Sequence, residues 1–359
     1  MNEPRGTAML PIARPLPVER LQAGWLAVAI VFVAVAALLG VTIGPVSIPP
    51  QRVLLEILDH LPLVHLHSGL TDTEATIVWE FRMPRVVLGL LVGAMLSIAG
   101  GSYQGAFRNP LADPYLLGVG AGAGLGATIA IVANVSRGGS FGPLQLAAFA
   151  GALAAAGVTY VLGTSTGQGR SPAALILAGV AVTSFFTAFQ TYLQQKNADT
   201  IREVYSWILG RLSTASWRDV GVMLPYMLVT CAVLLSYRRV LDVMAVGDEE
   251  AGSLGISVGR ARLVVILAAT LGTAVAVSVS GLIVFVGIIV PHTVRLLVGR
   301  SYRVILPFSL LFGAGFLTLS DLLARTLLQP AEVPIGVITA FFGAPFFLTV
   351  LRTNRTAAP

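Results

Sequence analysis

Cysteine, lysine, histidine and acidic residues are all scarce in this chain. Cys231 is the only cysteine. It sits inside an apolar run, which rules out an intramolecular disulfide and a cysteine-cluster metal site. Lys196 is the only lysine, and charged residues make up 11% of the 359. Soluble domains carry about 25%, so the chain is not of the soluble globular class. The net charge of +6 comes from arginines placed singly or in pairs at the ends of apolar runs. No arginine-rich run or basic stripe is present, so no nucleic-acid partner is read from it. A phosphate-cradling GxxxxGK[ST] run is also missing. The glycine series from Gly118 to Gly126 opens an apolar segment instead of following a strand, so no nucleotide site is expected on this chain. The four histidines are His60, His65, His67 and His292. His65-Leu-His67 lies on a polar connector and is a weak metal signal. No catalytic set and no metal site are expected.

What the sequence does have is apolar length. Hydrophobic residues make up 55% and the mean hydropathy is +0.83. Successive runs of about 20 apolar residues predict an all-α polytopic membrane protein. The expected spans cover Leu21 to Ile43, Val86 to Phe107, Leu116 to Ser136, Pro143 to Thr164, Pro172 to Gln195 and Val220 to Tyr237. Leu263 to Val294 holds no acid, lysine or arginine. It is too long for one span, and two short ones hinged at Ser278 to Gly281 fit it. Val304 to Ser320 and Val333 to Leu351 complete an expected set of ten helices. Proline opens the fourth and fifth runs, a favourable first helical position because that amide has no partner anyway.

The remaining segments are read as connectors. Residues 1–20 form a flexible tail and 352–359 a second one, around a ten-helix transmembrane domain over 21–351. No cleavable signal peptide is expected, because the first apolar run is long and lacks a small-residue cleavage site. Gly44 to Arg85, with Pro45, Pro49, Pro50 and Pro62, is too long and polar to be embedded. Within Lys196 to Asp219, VYSWILGRL is amphipathic and predicts a short interfacial or re-entrant helix. The longest charged interruption, Arg238 to Arg262 with its helical part at 239–262, carries Asp248, Glu249 and Glu250 between Arg238 and Arg239 on one side and Arg260 and Arg262 on the other. It predicts two short helices with glycine stops at Gly247, Gly252, Gly255 and Gly259. An even number of spans puts both termini on one side. With that side cytoplasmic, most of the arginines fall inside, the sign the positive-inside rule requires. Plasma (inner) membrane localisation with both termini cytoplasmic is therefore expected. Facing the other side are Arg82 and Arg85, around Met83-Pro84, and Arg325 just beyond the ninth span. Lipid anchoring is the ordinary role for such residues; bidentate docking of carboxylates on a soluble partner is the sharper one.

Several segments in order then resemble one family. They are RMPR at Arg82–Arg85, Tyr103-Gln104-Gly105, RNPLADPYLLGVGAGAG at Arg108–Gly124, LAGVAV at Leu177–Val182 and SWILGRL at Ser206–Leu212. GDEEAGSLGI at Gly247–Ile256, SGLIVFVGIIVPHTVRLLVG at Ser280–Gly299 and EVPIGVITAFFGAPFFLTVL at Glu332–Leu351 follow. Together these resemble the permease of type II ABC importers, which take up ferric siderophores, haem and cobalamin.

The resemblance implies that Gly247 to Gly259 forms coupling helices for a cytoplasmic ATPase. Gly247, Asp248, Glu249, Glu250, Leu254 and Gly255 would make the contacts. It implies that Arg82, Arg85 and Arg325 dock glutamates of an external binding protein. Asn109 and Leu111 would lie at a cytoplasmic gate, with Ser171 the nearest match at the start of the fifth span, where Pro172 departs from the pattern. His292 and Arg295 match a PHxxR pair given a structural role. The implied assembly is a homodimer of this permease in lipid, two ATPase subunits and one external binding protein. No cofactor is implied on this chain; ATP and Mg belong to the ATPase. A ferric siderophore is the favoured cargo, ahead of haem or cobalamin. The rivals are an ion-coupled secondary transporter of a polar solute, disfavoured by the lack of acids within the spans, and a non-transporting membrane scaffold.

Overall fold

The computed structural model describes residues 21–60, 68–135, 142–165 and 172–355. Ser171, His65 and His67 lie outside them. The first half of the chain forms α1 (Ala23–Thr42), α2 (Pro50–Asp59), α3 (Asp72–Thr76), α4 (Met83–Phe107), α5 (Val119–Val132), α6 (Pro143–Ser165) and α7 (Pro172–Lys196). The second half forms α8 (Ile201–Ile208), α9 (Trp217–Ser236), α10 (Arg238–Val246), α11 (Asp248–Ser253), α12 (Val258–Ser280), α13 (Val286–Leu297), α14 (Tyr302–Thr326) and α15 (Ile335–Arg355). Among the described residues 7 helices are long and apolar enough to cross a membrane, and Val119–Val132, Val286–Leu297 and Ile335–Val350 are shorter apolar helices. These match the ten expected spans one for one.

Three boundaries differ from expectation. The connector before α4 is not simply polar coil. It folds as α2, α3 and a π-helical stretch, Ile77–Arg82, that runs straight into α4. The third span is short, because the chain after α4 turns back before Gly118, whose φ of 76° suits glycine, starts α5. The ninth span, α14, runs on to Thr326, so Arg325 lies in its last turn instead of beyond it.

Helix α4 is the centre of the bundle and is almost wholly buried; α14, α12, α13 and α9 pack around it. Lipid is as apolar as leucine, so helices in it gain by close approach instead of by hiding apolar surface. The sequence supplies that approach with glycine. A Cβ on Gly100 would lie 2.0 Å from the carbonyl oxygen of Gly287 on α13, and one on Gly93 would lie 2.3 Å from that of Gly313 on α14. Helices α5, α6 and α7 form a second packed group beside this core, and α1 and α7 leave most of their surface outside the chain's own packing.

The expected hinge is present where α12 ends at Ser280. Gly281 has φ 71° and Phe285 has φ 70°, two left-handed residues that turn the chain back into α13. Gly281 also has no room for a side chain, since a Cβ there would lie 2.3 Å from the carbonyl oxygen of Trp207. The amphipathic stretch after α7 forms α8, as expected. The Arg211 amide donates to the Ser280 carbonyl at 2.7 Å and the Gly336 amide to the Leu209 carbonyl at 2.9 Å. The breaks before α9, α13 and α15 are thus tied to one another.

Candidate functional site

One end of the bundle is organised by arginine. The last carbonyls of a helix have no partner within it, and α1 ends against α4 and α14. Arg82 Nη1 donates to the Val41 carbonyl at 3.0 Å and the Thr42 carbonyl at 2.8 Å, and its Nη2 to the Val46 carbonyl. Arg325 Nη2 donates to the Gly40 carbonyl at 2.6 Å. The two guanidiniums therefore cap the C-terminus of α1, where the helix dipole also favours positive charge. Arg82 is only 4% exposed and Arg325 only 2%.

Arg85 is held by acids of its own chain. Its Nε and Nη2 each donate to Asp321 at 2.9 Å, and its Nη1 and Nη2 to Glu332 at 2.8 and 3.0 Å. Asp321 is shared, with Arg325 Nε at 3.8 Å. The expectation of three outward-facing guanidiniums is corrected on this point: the structure brings Arg82, Arg85 and Arg325 together but turns them inward. Carbonyls with no other donor and carboxylates in a low-dielectric wall bind them better than solvent does. Glu332 is the more exposed edge of the cluster, at 33% of its side chain.

The opposite end holds the acidic element. Helices α10 and α11 meet at Gly247. Asp248 opens α11, where a carboxylate is favoured by the dipole. Its two oxygens accept from Arg262 Nη2, each at 3.0 Å, and Arg108 Nε approaches to 3.9 Å. Arg262 Nε also donates to the Ala106 carbonyl at 2.9 Å, in the last turn of α4. Asp248 and Arg262 thus fasten the element to the end of the central helix. Asp242 adds a second attachment. It accepts from the Ser301 hydroxyl at 2.7 Å and the Tyr302 amide at 2.5 Å, and Arg303 Nε lies 3.3 Å away, so it caps the start of α14. Glu249, Glu250 and Gly255 remain on the surface, and Gly255 takes φ 82°. Leu254 is 71% exposed and Val246 73%. Arg262 was marked in the sequence as one of the arginines bracketing the acidic patch, and the structure pairs it with Asp248. Val246 was not singled out, and nothing in a short apolar step marks it.

Next to this element lies the turn after α4. Asn109 Oδ1 accepts from the Leu111 amide at 2.9 Å, and the Asn109 amide donates to the Gln104 carbonyl at 3.1 Å. Asn109 and Leu111 thus sit in one short side-chain-stabilised turn. Gln104 continues inward: its Nε2 donates to the Gly287 carbonyl at 3.2 Å and its Oε1 accepts from Arg295 Nη2 at 3.1 Å. The expected structural role of Arg295 fits that contact, and the His292 ring stands edge-on to Phe346 at 5.6 Å.

From this turn the chain leads to a cavity of about 570 Å³, lined by Asp113, Tyr115, Gly120, the α7 face from Thr183 to Gln194, Tyr205 and the break before α13. Asp113 Oδ1 accepts from the Tyr115 amide at 2.7 Å, and desolvation pushes its carboxyl up to about 6. The Tyr115 hydroxyl donates to the Ile283 carbonyl at 2.9 Å, which fastens the turn to the hinge. Among the described residues no group of three or more metal-ligating side chains is present.

Comparison with known proteins points in one direction. The FecCD transport family is matched over residues 30–353. The cobalamin import system permease protein BtuC of Halobacterium salinarum is 44% identical over 294 residues, covering 82% of this chain and 78% of that protein. The hemin transport system permease protein HmuU of Yersinia pestis is 38% identical, covering 77% of this chain and 84% of that one. A solved structure, described as an inward-facing conformation of a metal-chelate type ABC transporter, superimposes with a TM-score of 0.79 at 27% identity, over 92% of this chain and 100% of that one.

Proposed function

This chain belongs to the FecCD transport family, and we propose that it carries a metal chelate across the inner membrane with energy from a separate cytoplasmic ATPase. It is a multi-pass permease subunit with no enzymatic activity of its own. The observation that carries the coupling reading is the α10–α11 element. It is a charged surface projection that nevertheless exposes Val246 and Leu254, and it is fastened through Asp248 and Arg262 to the end of α4. A force applied there reaches the central helix and the Asn109–Leu111 turn without passing through a flexible loop. In this reading Glu249, Glu250, Leu254 and Gly255 meet the ATPase, Asp248 holds the element in place, and Gly247, which the structure buries, is corrected from a contact to the turn between α10 and α11. ATP and Mg bind the partner. The termini and this element face the cytoplasm.

The remaining roles follow the same geometry. Asn109 and Leu111 form part of the inner gate; Ser171, expected from sequence to join them, lies outside the described residues. The external binding protein docks over the Arg85–Glu332 edge, and its acids exchange with Glu332 on Arg85; Arg82 and Arg325 hold the helices that present it. Two copies of the chain enclose the pathway. The cargo is a ferric siderophore, haem or a cobalamin, the classes named for relatives that match this chain.

Co-purification with the ATPase subunit, followed by ATP hydrolysis with and without loaded binding protein, tests this. Wild-type protein should retain the ATPase, and Leu254→Asp should weaken that association by about tenfold or more, equivalent to about 1.4 kcal/mol. Equal retention by both proteins would remove the α10–α11 element from the coupling interface.

A further inference from the structure

Helices α1, α13 and α14 leave a slot between them, a space of about 130 Å³ lined by Phe32, Ile289, Thr293, Leu297, Phe312 and Phe316. The Phe32 ring sets its shape. A Cβ on Gly315 would lie 2.6 Å from the ring's Cδ1, so the missing side chain lets the ring rest on α14, 5.7 Å from the Phe312 ring between centroids. A further space of about 230 Å³ shares Phe32 and Phe316 and continues the slot past Ser320 and Leu323.

Nothing polar faces into it. The Thr293 hydroxyl donates to the Ile289 carbonyl and the Ser320 hydroxyl to the Phe316 carbonyl, each at 2.8 Å. Every other described residue along the slot is apolar. Packed interiors leave few voids of this size, and an apolar space of about 150 Å³ stays dry and accepts hydrocarbon. Most of α1 lies outside the chain's own packing, so lipid tails are the hydrocarbon at hand.

Charge selects the kind of lipid. From Val286 to Arg355 the only acids are Asp321 and Glu332, and both are held by Arg85 at the outer end. The cytoplasmic end carries Arg300 in the link after α13, Arg303 in the first turn of α14 and Arg352 near the end of α15. Arg303 faces Asp242 at 3.3 Å, whereas Arg300 and Arg352 are exposed. Arginines at that surface attract the anionic headgroups of the cytoplasmic leaflet. Depth agrees as well. At about 1.5 Å per residue, Phe316 lies about 20 Å along α14 from Arg303, half of a bilayer about 40 Å thick with its headgroups.

We propose that the slot is a phospholipid site. An anionic phospholipid of the cytoplasmic leaflet lays one acyl chain between α1, α13 and α14 and sets its phosphate against Arg300 and Arg352. The proposal goes beyond the importer reading and takes only its orientation from it. A chain seated there braces α13, the helix that Arg295 ties to Gln104 beside the gate turn.

Photolabelling provides the test. The purified full-length chain is placed in phosphatidylcholine nanodiscs with a trace of phosphatidylglycerol or phosphatidylcholine bearing a diazirine on one acyl chain, and the labelled peptides are read by mass spectrometry. The phosphatidylglycerol probe should label α13 and α14 about tenfold more than the phosphatidylcholine probe does. Arg300→Gln with Arg352→Gln, both at exposed side chains, should abolish that preference and leave phosphatidylcholine labelling unchanged. Thr293→Phe fills the slot and should cut labelling of both helices about tenfold, whereas Thr293→Val keeps it open and should not. Equal labelling by the two probes in the wild-type chain, or a preference that survives the paired arginine variant, would overturn the proposal. So would labelling unchanged by Thr293→Phe, or none on these helices, the result expected if a second copy covered α1.

Discussion

At the scale of single residues, the choice of arginine over lysine in this chain has a structural reason. Arg82 reaches the carbonyls of Val41, Thr42 and Val46 with one planar fork, and Arg262 joins the Ala106 carbonyl to Asp248. A lysine ammonium is a point charge on a flexible stem and cannot span such a set in fixed geometry. Arg82→Met should leave the end of α1 unsatisfied and cost about 2–4 kcal/mol, the penalty for two or more buried acceptors without donors. Thermal unfolding of the purified protein in detergent would show it, with Arg82→Lys recovering only part of the loss. An unchanged midpoint would mean that water or lipid headgroups satisfy those carbonyls.

Among the elements, α4 does the most to organise the fold. Its glycines bring α13 and α14 to backbone contact, its N-terminal end carries Arg85, and its C-terminal end receives Arg262 and leads into the gate turn. Gly100→Val should therefore be more damaging than its size suggests. The new side chain would meet the Gly287 backbone, which cannot rotate away, so the two helices must separate. The expected outcome is loss of the monodisperse protein on size-exclusion chromatography. A well-folded Gly100→Val protein would show that α13 is not fixed against α4 at this level. The hinge between α12 and α13 was readable in advance, because a run too long for one span and broken by glycine has few alternatives. The fold of the segment before α4 was not: its prolines and charges read as loop, whereas Thr71 and Glu74 form a capping box at the start of α3 and the chain from Asp72 onward is continuously helical into α4.

For the whole molecule, the exposed surfaces of α7 and α15 bear on assembly. Leu177, Phe185 and Phe341 are more than two-thirds exposed, on helices that line or adjoin the cavity. Lipid could cover them. Under the proposed function a second copy covers part of this surface and closes the cavity from its open side. Native mass spectrometry should then find two 37.5 kDa chains with two ATPase subunits. A complex holding a single permease chain would sink the paired arrangement.

The sequence by itself determined the class, the number of spans and the place of the charged element. These follow from apolar run length, proline and glycine punctuation and the distribution of arginine, all of which are local or additive. It also placed Asn109, Leu111, Asp248 and Leu254 on turns or surfaces where the structure has them. Only the tertiary structure decided which charged groups face one another. Arg85 pairs with acids far along the chain, and Arg82 and Arg325 turn inward because the end of α1 arrives beside them. No periodicity encodes that meeting. Burial is a property of neighbours, and neighbours are set by packing.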